Sequence, residues 1–482
     1  MIEILFNSIA FLYFAIIVFI GVMLIRNKDY QYFFLLVASC FFYWYSSGSI
    51  LLILLLSILA DYYIAKAITS SLTKGGKKFY LILSLIVNLG VLGYFKYTNF
   101  FIESINLFLS NFSIAPSMST LSIVLPIGIS FYTFQKVSYI LDVYWGYLKA
   151  EESLLKFSLY VAFFPQLVAG PIVRAKDFLY QLNKKIKITP ENAKAGLTLV
   201  AWGLIKKVVF ADNIAVFANY FFSDPHSYPG SIPVILATLA FGIQIYCDFS
   251  GYSDIAIGLA RIMGLKLLLN FDKPYFAENV TIFWRKWHIS LSNWLRDYLY
   301  IPLGGNRKGT KRTYINLMIT MTLGGLWHGA NWNFLIWGVY HGFILAMHKF
   351  FKAIGVTNVF NIFKKYSTLV SILITQYFVF FGWLIFRVSN TDYLMYVMKK
   401  FVILDFTAWL ATTSTIISKF EMSFIFIATF IVLHVYTYFH QDIVEKLSKL
   451  KIGYWLVYIA GMILLLYLFN TGAPTQFIYF RF

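Results

Sequence analysis

The chain has 482 residues, of which 60% are hydrophobic, 20% aromatic and only 13% charged, with a mean hydropathy of +0.71. Soluble domains carry charge on about one residue in four, so this composition excludes an ordinary water-soluble enzyme and requires an apolar solvent. The net charge of +19 sits in short basic connections without a contiguous basic, aromatic-studded face, which excludes a nucleic-acid-binding protein and fits loops that obey the positive-inside rule.

In chain order, apolar segments lie near residues 3–25, 31–47, 49–68, 79–101, 154–169, 195–221 and 232–262, then 314–327, 333–351, 368–387, 404–417, 421–439 and 453–470. An apolar run of about twenty residues crosses the hydrocarbon core as a helix. The pattern predicts an all-α integral membrane protein, a polytopic helical bundle of about 11–13 spans with some re-entrant or interfacial helices. Residues 1–482 are read as a single membrane domain. The first run lacks a basic leader and a small-residue cleavage site, and is read as a retained helix.

The connections at Lys74, Lys77 and Lys78, at Lys184, Lys185 and Lys187, at Arg307, Lys308, Lys311 and Arg312, at Lys364 and Lys365, and at Lys399 and Lys400 carry the positive charge. Between them, the stretch 121–145 contains Pro126, Gly128 and Gln135 and is expected to be a broken or partial insertion. Non-helical backbone at membrane depth is tolerated only inside protein or beside a wet cavity. Cys40 and Cys247 stand alone in apolar surroundings and fit neither a disulfide framework nor a metal site.

From Asp248 to Asn331 polar and charged residues alternate with Trp284, Trp287 and Trp294. A helical reading of Trp284–Arg296 places Arg285, His288 and Ser292 on one face and the tryptophans on another, as in a short amphipathic helix at the interface. Further on, Thr322-Leu323-Gly324-Gly325-Leu326-Trp327-His328-Gly329-Ala330-Asn331-Trp332 sets a histidine among glycines and tryptophans. An ionisable residue at membrane depth is costly and tends to be functional. Burial keeps an imidazole neutral near pH 7 and able to accept a proton, so His328 is the candidate general base. The small glycines permit close approach by backbone or ligand, and Trp327 and Trp332 are expected to wall a narrow passage. His288 is the second candidate, in an orienting or donor-binding role. His341 and His348, seven apart on the next helix, are read as structural, His434 and His440 as packing or interface residues, and His226 as a loop residue.

No HExxH, GxSxG, P-loop or dinucleotide fingerprint is present, so neither a metal nor a bound cofactor is expected. A buried histidine base without redox or metal chemistry suits acyl transfer to a hydroxyl. An acyl thioester is already activated, and the protein has only to align it and remove one proton.

At these residues the chain resembles the membrane-bound O-acyltransferase family, in its bacterial branch of alginate O-acetyltransferase type. The resemblance is carried by Leu125–Gln135 (LPIGISFYTFQ), Phe163–Pro171 (FFPQLVAGP), Asp248–Asp254 (DFSGYSD), Phe283–Ser292 (FWRKWHISLS), Arg296–Arg307 (RDYLYIPLGGNR), Trp327-His328-Gly329 and Phe381–Arg387 (FGWLIFR). It implies a helical bundle around a central tunnel, with the family's histidine at His328 and His288 near the tunnel on its cytoplasm-facing side. Trp327, Asn331, Trp287, Ser292, Arg296 and Asp297 are then expected along the tunnel, the last two at its cytoplasmic mouth.

The resemblance further implies a donor such as acetyl-CoA or another acyl thioester, and an extracytoplasmic SGNH-type partner that places the acyl group on a polysaccharide: an alginate-like polymer, peptidoglycan or cellulose. The location it implies is the cytoplasmic membrane of a bacterium. The C-terminal run Phe477–Phe482 is read as a docking element for that partner. The sister activity is D-alanyl transfer to teichoic acid. From other classes, a polysaccharide transporter would be expected to show inverted repeats and ion-coupling carboxylates within spans, and a non-catalytic scaffold would be indifferent to loss of His328.

Overall fold

The computed structural model describes residues 6–114, 118–168, 170–355, 366–406, 409–440, 443–472 and 477–478. Lys364, Lys365 and the tail from Tyr479 lie outside the described residues. Among the described residues there is no strand. The helices are α1 (Ile9–Leu24), α2 (Lys28–Ser47), α3 (Leu51–Ser70), α4 (Lys74–Leu92), α5 (Thr98–Asn111), α6 (Ile129–Tyr144), α7 (Leu154–Ala162), α8 (Phe164–Leu167), α9 (Ala175–Phe178), α10 (Pro190–Leu204), α11 (Asp212–Ser223) and α12 (Ser231–Ile262). They continue with α13 (Val280–Lys286), α14 (Ile289–Leu295), α15 (Thr310–His328), α16 (Trp332–Ala353), α17 (Ser367–Arg387), α18 (Thr391–Val402), α19 (Trp409–Lys419), α20 (Glu421–Phe439), α21 (Ile443–Ser448) and α22 (Ile452–Leu468).

Several of these begin where a short polar side chain can accept from the first-turn amides. Ser8, Asn27, Thr73, Ser153, Asn279, Asn331 and Asn390 all do so, meeting donors that have no partner within the helix.

Among the described residues, six helical stretches are long and apolar enough to cross a membrane: Lys28–Ser70, Lys74–Asn111, Ser231–Ile262, Trp332–Ala353, Ser367–Arg387 and Glu421–Phe439. The shorter apolar helices α1 and α22 add to them. The other apolar segments take different forms. Segment 154–169 becomes the short α7 and α8, and 195–221 is α10 and α11 joined through a π-helical stretch at Ile205–Ala211.

The chain packs as two compact units. The first comprises Met1–Gly196 with Ala256–Leu268, and the second Leu197–Ile255 with Leu269–Phe482. In the first unit, Asp61 of α3 is fully buried and accepts from Ser84 Oγ at 2.6 Å and Asn88 Nδ2 at 2.9 Å, with Lys136 Nζ at 3.3 Å. Such a carboxylate is held in an apolar unit only by a full set of donors. The segment 121–145 resolves into non-helical chain followed by α6. Gly128, at φ +73°, makes the junction, and a Cβ there would lie 2.5 Å from the carbonyl oxygen of Leu167.

The second unit holds both candidate histidines. Its core includes α12, α15, α16 and α17. Beside them lies an ionic cluster in which Lys207 Nζ contacts Asp248 at 2.6 Å and Asp212 at 2.9 Å, while Asp248 also accepts the backbone N–H of Ile478.

Candidate active site

The site is built where an expected helix breaks. The reading of Trp284–Arg296 as one amphipathic helix is corrected: α13 ends at Lys286, α14 starts at Ile289, and His288 between them is left-handed at φ +43°, ψ +56°. Two short helices end to end show the same apolar spacing as one, so periodicity alone does not reveal the break. The predicted shared face goes with it. Arg285 is exposed, whereas His288 is fully buried.

The segment after Leu269 forces the break. The backbone N–H of Ile289 donates to the Asn270 carbonyl and that of Asp272 to the Lys286 carbonyl, both at 2.9 Å. Asn270, wholly buried, gathers His288 Nδ1 at 3.1 Å, the Ser290 amide at 3.2 Å and Ser290 Oγ at 2.9 Å onto its Oδ1. Its Nδ2 donates to Ser253 Oγ of α12 at 3.1 Å. Ser292 Oγ donates to the Trp287 carbonyl at 3.2 Å, tying α14 back across the break. Burial pushes the His288 imidazole down to about 3, so the ring is neutral at pH 7.

His328 is the last residue of α15, and it too is buried. It is fixed by the hairpin of α15 and α16, whose backbones approach so closely that a Cβ on Gly325 would lie 2.2 Å from the Phe334 carbonyl oxygen and one on Gly338 2.4 Å from that of Met321. Three rings stand nearly perpendicular to its imidazole: Trp327 and Trp337 at 5.1 Å and Phe386 at 5.5 Å between centroids. Phe386 arrives on the last turn of α17, where Asn333 Nδ2 donates to its carbonyl oxygen at 2.9 Å.

The two imidazoles lie 6.5 Å apart between centroids, their planes tilted by 59°, with Trp327 5.9 Å from His288. That is too long for a direct hydrogen bond between the rings, yet a reacting oxygen can bridge it. Phe249 of α12 closes the far side of His288 at 4.7 Å.

The other expected residues distribute unevenly. Trp287 is buried and packs on Trp383 at 4.7 Å and on Phe271 at 5.0 Å, behind the histidine pair. Asn331 is exposed and caps α16, and Trp332 is half exposed. The expected wall position of Trp332 is occupied by Trp337, one helical turn and more further along α16. Arg296 and Asp297 form a bidentate pair with each other at 2.6 and 3.1 Å, in a π-helical stretch at Arg296–Tyr300, with the guanidinium largely in the open.

His341 is buried edge-on to Trp284 and Trp337, and His348 meets Thr281 Oγ1 at 3.2 Å. His348 also lines a cavity of about 370 Å³ with Glu278, Met347, Ser371, Thr375 and Phe378, and neither His288 nor His328 is among its walls.

Asn270, Ser290, Asn333, Trp337 and Phe386 escaped the sequence reading as site residues. For Asn270 a signal was present: a lone amide closing the apolar run Leu267-Leu268-Leu269, where a polar side chain needs a partner.

The family model of the membrane-bound O-acyltransferases matches residues 147–395, a range that includes both histidines and Asn270. The chain is 43% identical over 387 residues to a probable alginate O-acetylase of Pseudomonas aeruginosa, covering 80% of this chain and 72% of that protein. It is 37% identical over 372 residues to a peptidoglycan O-acetyltransferase of Helicobacter pylori, covering 72% and 69%. A teichoic acid D-alanyltransferase of Bacillus subtilis is 29% identical over 272 residues, covering 54% and 68%.

Proposed function

The chain belongs to the membrane-bound O-acyltransferase family, and from that premise we propose that it moves acetyl groups from a cytoplasmic thioester to the hydroxyls of a cell-wall or secreted polysaccharide. That it is a multi-pass membrane O-acyltransferase follows from its family, its relatives and its helices. The acetyl group is favoured because the relatives named for acetyl transfer are 37% and 43% identical, against 29% over a shorter stretch for the D-alanyl relative.

The observation that carries the chemistry is the pair of buried imidazoles, 6.5 Å apart, behind aromatic walls. In the proposed step, His328 takes the proton of a hydroxyl as its oxygen attacks the thioester carbonyl carbon. The tetrahedral intermediate then expels the thiolate by breaking the C–S bond, and the thiolate recovers the proton. The carbonyl end of α15, where His328 sits, favours the positive charge that develops on the ring. His288 orients the reacting groups from the opposite side. A positioned general base contributes roughly 10²–10⁴-fold.

An acyl thioester such as acetyl-CoA is the proposed donor, an extracytoplasmic SGNH-type protein the proposed partner, and the bacterial cytoplasmic membrane the proposed location. The test is the O-acetyl content of surface polysaccharides in cells carrying the parent chain, His328→Ala or His328→Gln, with membrane levels measured in parallel. Loss of acetyl at parental protein level is expected. Retained acetylation would refute His328 as the base, a result in keeping with a transporter or scaffold. Retained acetyl with reduced D-alanine on teichoic acid would move the chain to the sister activity.

A further inference from the structure

Asn270 bears on which nitrogen of His288 carries the hydrogen. Its side-chain amide has two ends that are alike in shape, so its orientation has to be read from neighbours that can only donate or only accept. The backbone N–H of Ser290 can only donate, and it points at the atom that also receives Ser290 Oγ. That atom is therefore the carbonyl oxygen Oδ1, and the opposite end, Nδ2, donates to Ser253 Oγ. The same Oδ1 faces His288 Nδ1 at 3.1 Å. Facing an acceptor, Nδ1 must carry the hydrogen, and the lone pair of the neutral ring is then on Nε2.

We infer that Asn270 is a positioning residue that locks His288 as the Nδ1–H tautomer and so makes its Nε2 the hydrogen-bond-accepting atom presented to the reacting groups. The inference rests on the reading of His288 and His328 as the reacting pair. The rest of the surroundings serves the same end. The left-handed backbone at His288, unusual for a residue with a Cβ, aims the ring, and the Ile289 amide bonded to the Asn270 carbonyl holds that backbone in place.

The choice of an amide here has a chemical consequence. A carboxylate in the same position would stabilise the imidazolium and remove the acceptor, whereas a neutral amide fixes the tautomer without adding charge. The titratable group facing His288 from α15 is His328. On α12 the ring meets Phe249, whose neighbour Asp248 is engaged by Lys207 and by the Ile478 amide.

The test compares the full chain with Asn270→Asp and Asn270→Ala in native membranes, following transfer of labelled acetyl from acetyl-CoA to polymer as a function of pH. For Asn270→Asp the acid limb of the rate profile is expected to move up by one pH unit or more. For Asn270→Ala, kcat is expected to fall at least tenfold with little change in KM and no displacement of the profile. Parental rates and profiles in both variants, at parental membrane level, would overturn the inference and leave Asn270 a support of the fold.

Because either variant could fail to accumulate, the tautomer itself is read by nitrogen NMR of ¹⁵N-histidine-labelled parent protein. A protonated Nδ1 on His288 is expected, and a protonated Nε2 overturns the inference. The NMR result stands apart from the functional reading: absence of any acetyl transfer by the parent chain would defeat that reading and leave the tautomer assignment untouched.

Discussion

At the scale of single residues, His288 combines two costs that a purely packing role would avoid: a left-handed backbone and a fully buried imidazole. For an L-residue the left-handed conformation costs roughly 1–2 kcal/mol, least for Asn, Asp and His and most for β-branched side chains. His288→Asn and His288→Val should therefore both lose transfer activity, but the valine variant should be less stable by about 1–2 kcal/mol. Melting of the two variants in detergent micelles checks this, and equal melting temperatures would contradict the strain argument. The buried ring also links stability to pH. In the unfolded chain His288 takes up a proton below about 6.5, but in the fold only below about 3. Between those values the unfolded state binds more protons, so the contribution is complete above pH 6.5 and is lost as pH falls toward 3. The expected outcome is a drop in melting temperature between pH 7 and pH 4 that is smaller in His288→Asn than in the parent.

At the scale of elements, the long helices were legible because length and hydropathy suffice to define them. The runs read at 333–351, 368–387 and 421–439 appear as Trp332–Ala353, Ser367–Arg387 and Glu421–Phe439. What was not legible is whatever tertiary contact decides. The break at His288 depends on Asn270, eighteen positions earlier, and the wall around His328 depends on Phe386 of α17 and on Trp337. His328 itself could be picked out because an imidazole among glycines in an apolar chain needs a reason at the level of sequence. Its glycines turn out to serve the helix pair as well as the site, since Gly325 and Gly338 let the backbones of α15 and α16 touch. Gly338→Ala should overpack that contact and destabilise the protein by roughly 1–3 kcal/mol, moving His328 away from Trp337 and lowering activity. Gly461→Ala, in the interior of α22 with nothing within 4 Å of the added carbon, should be neutral or stabilising by up to about 1 kcal/mol. Thermal melting of the two variants side by side distinguishes a packing effect from a general intolerance of substitution.

At the scale of the whole molecule, the question is on which side of the membrane the histidine pair works. In the second unit, α15 begins beside Arg307, Lys308, Lys311 and Arg312, and α16 ends with Lys349 and Lys352. The two helices form an antiparallel hairpin, so these six basic residues share one end, and the turn Gly329-Ala330-Asn331, which has no basic residue, is at the other. A helix rises about 1.5 Å per residue, so the 22 residues of α16, the apolar span of the hairpin, separate the ends by roughly 33 Å, enough to cross a hydrocarbon core of about 30 Å. By the positive-inside rule the basic end is expected in the cytoplasm. On that orientation His328 is expected toward the outer face, which cysteine labelling tests. Alongside α16, α13 runs from Thr281 beside His348 to Trp284 beside His341 and on toward His288 beside His328. The chain of α13 therefore reaches His288 from the basic end of the hairpin. With Cys40 and Cys247 replaced by alanine, Asn331→Cys should react with a membrane-impermeant maleimide added to intact cells, and Lys308→Cys only after the membrane is permeabilised. The reverse pattern would invert the direction of acyl movement argued from the charges, and labelling of both from outside would mean that the hairpin of α15 and α16 does not cross the membrane at all.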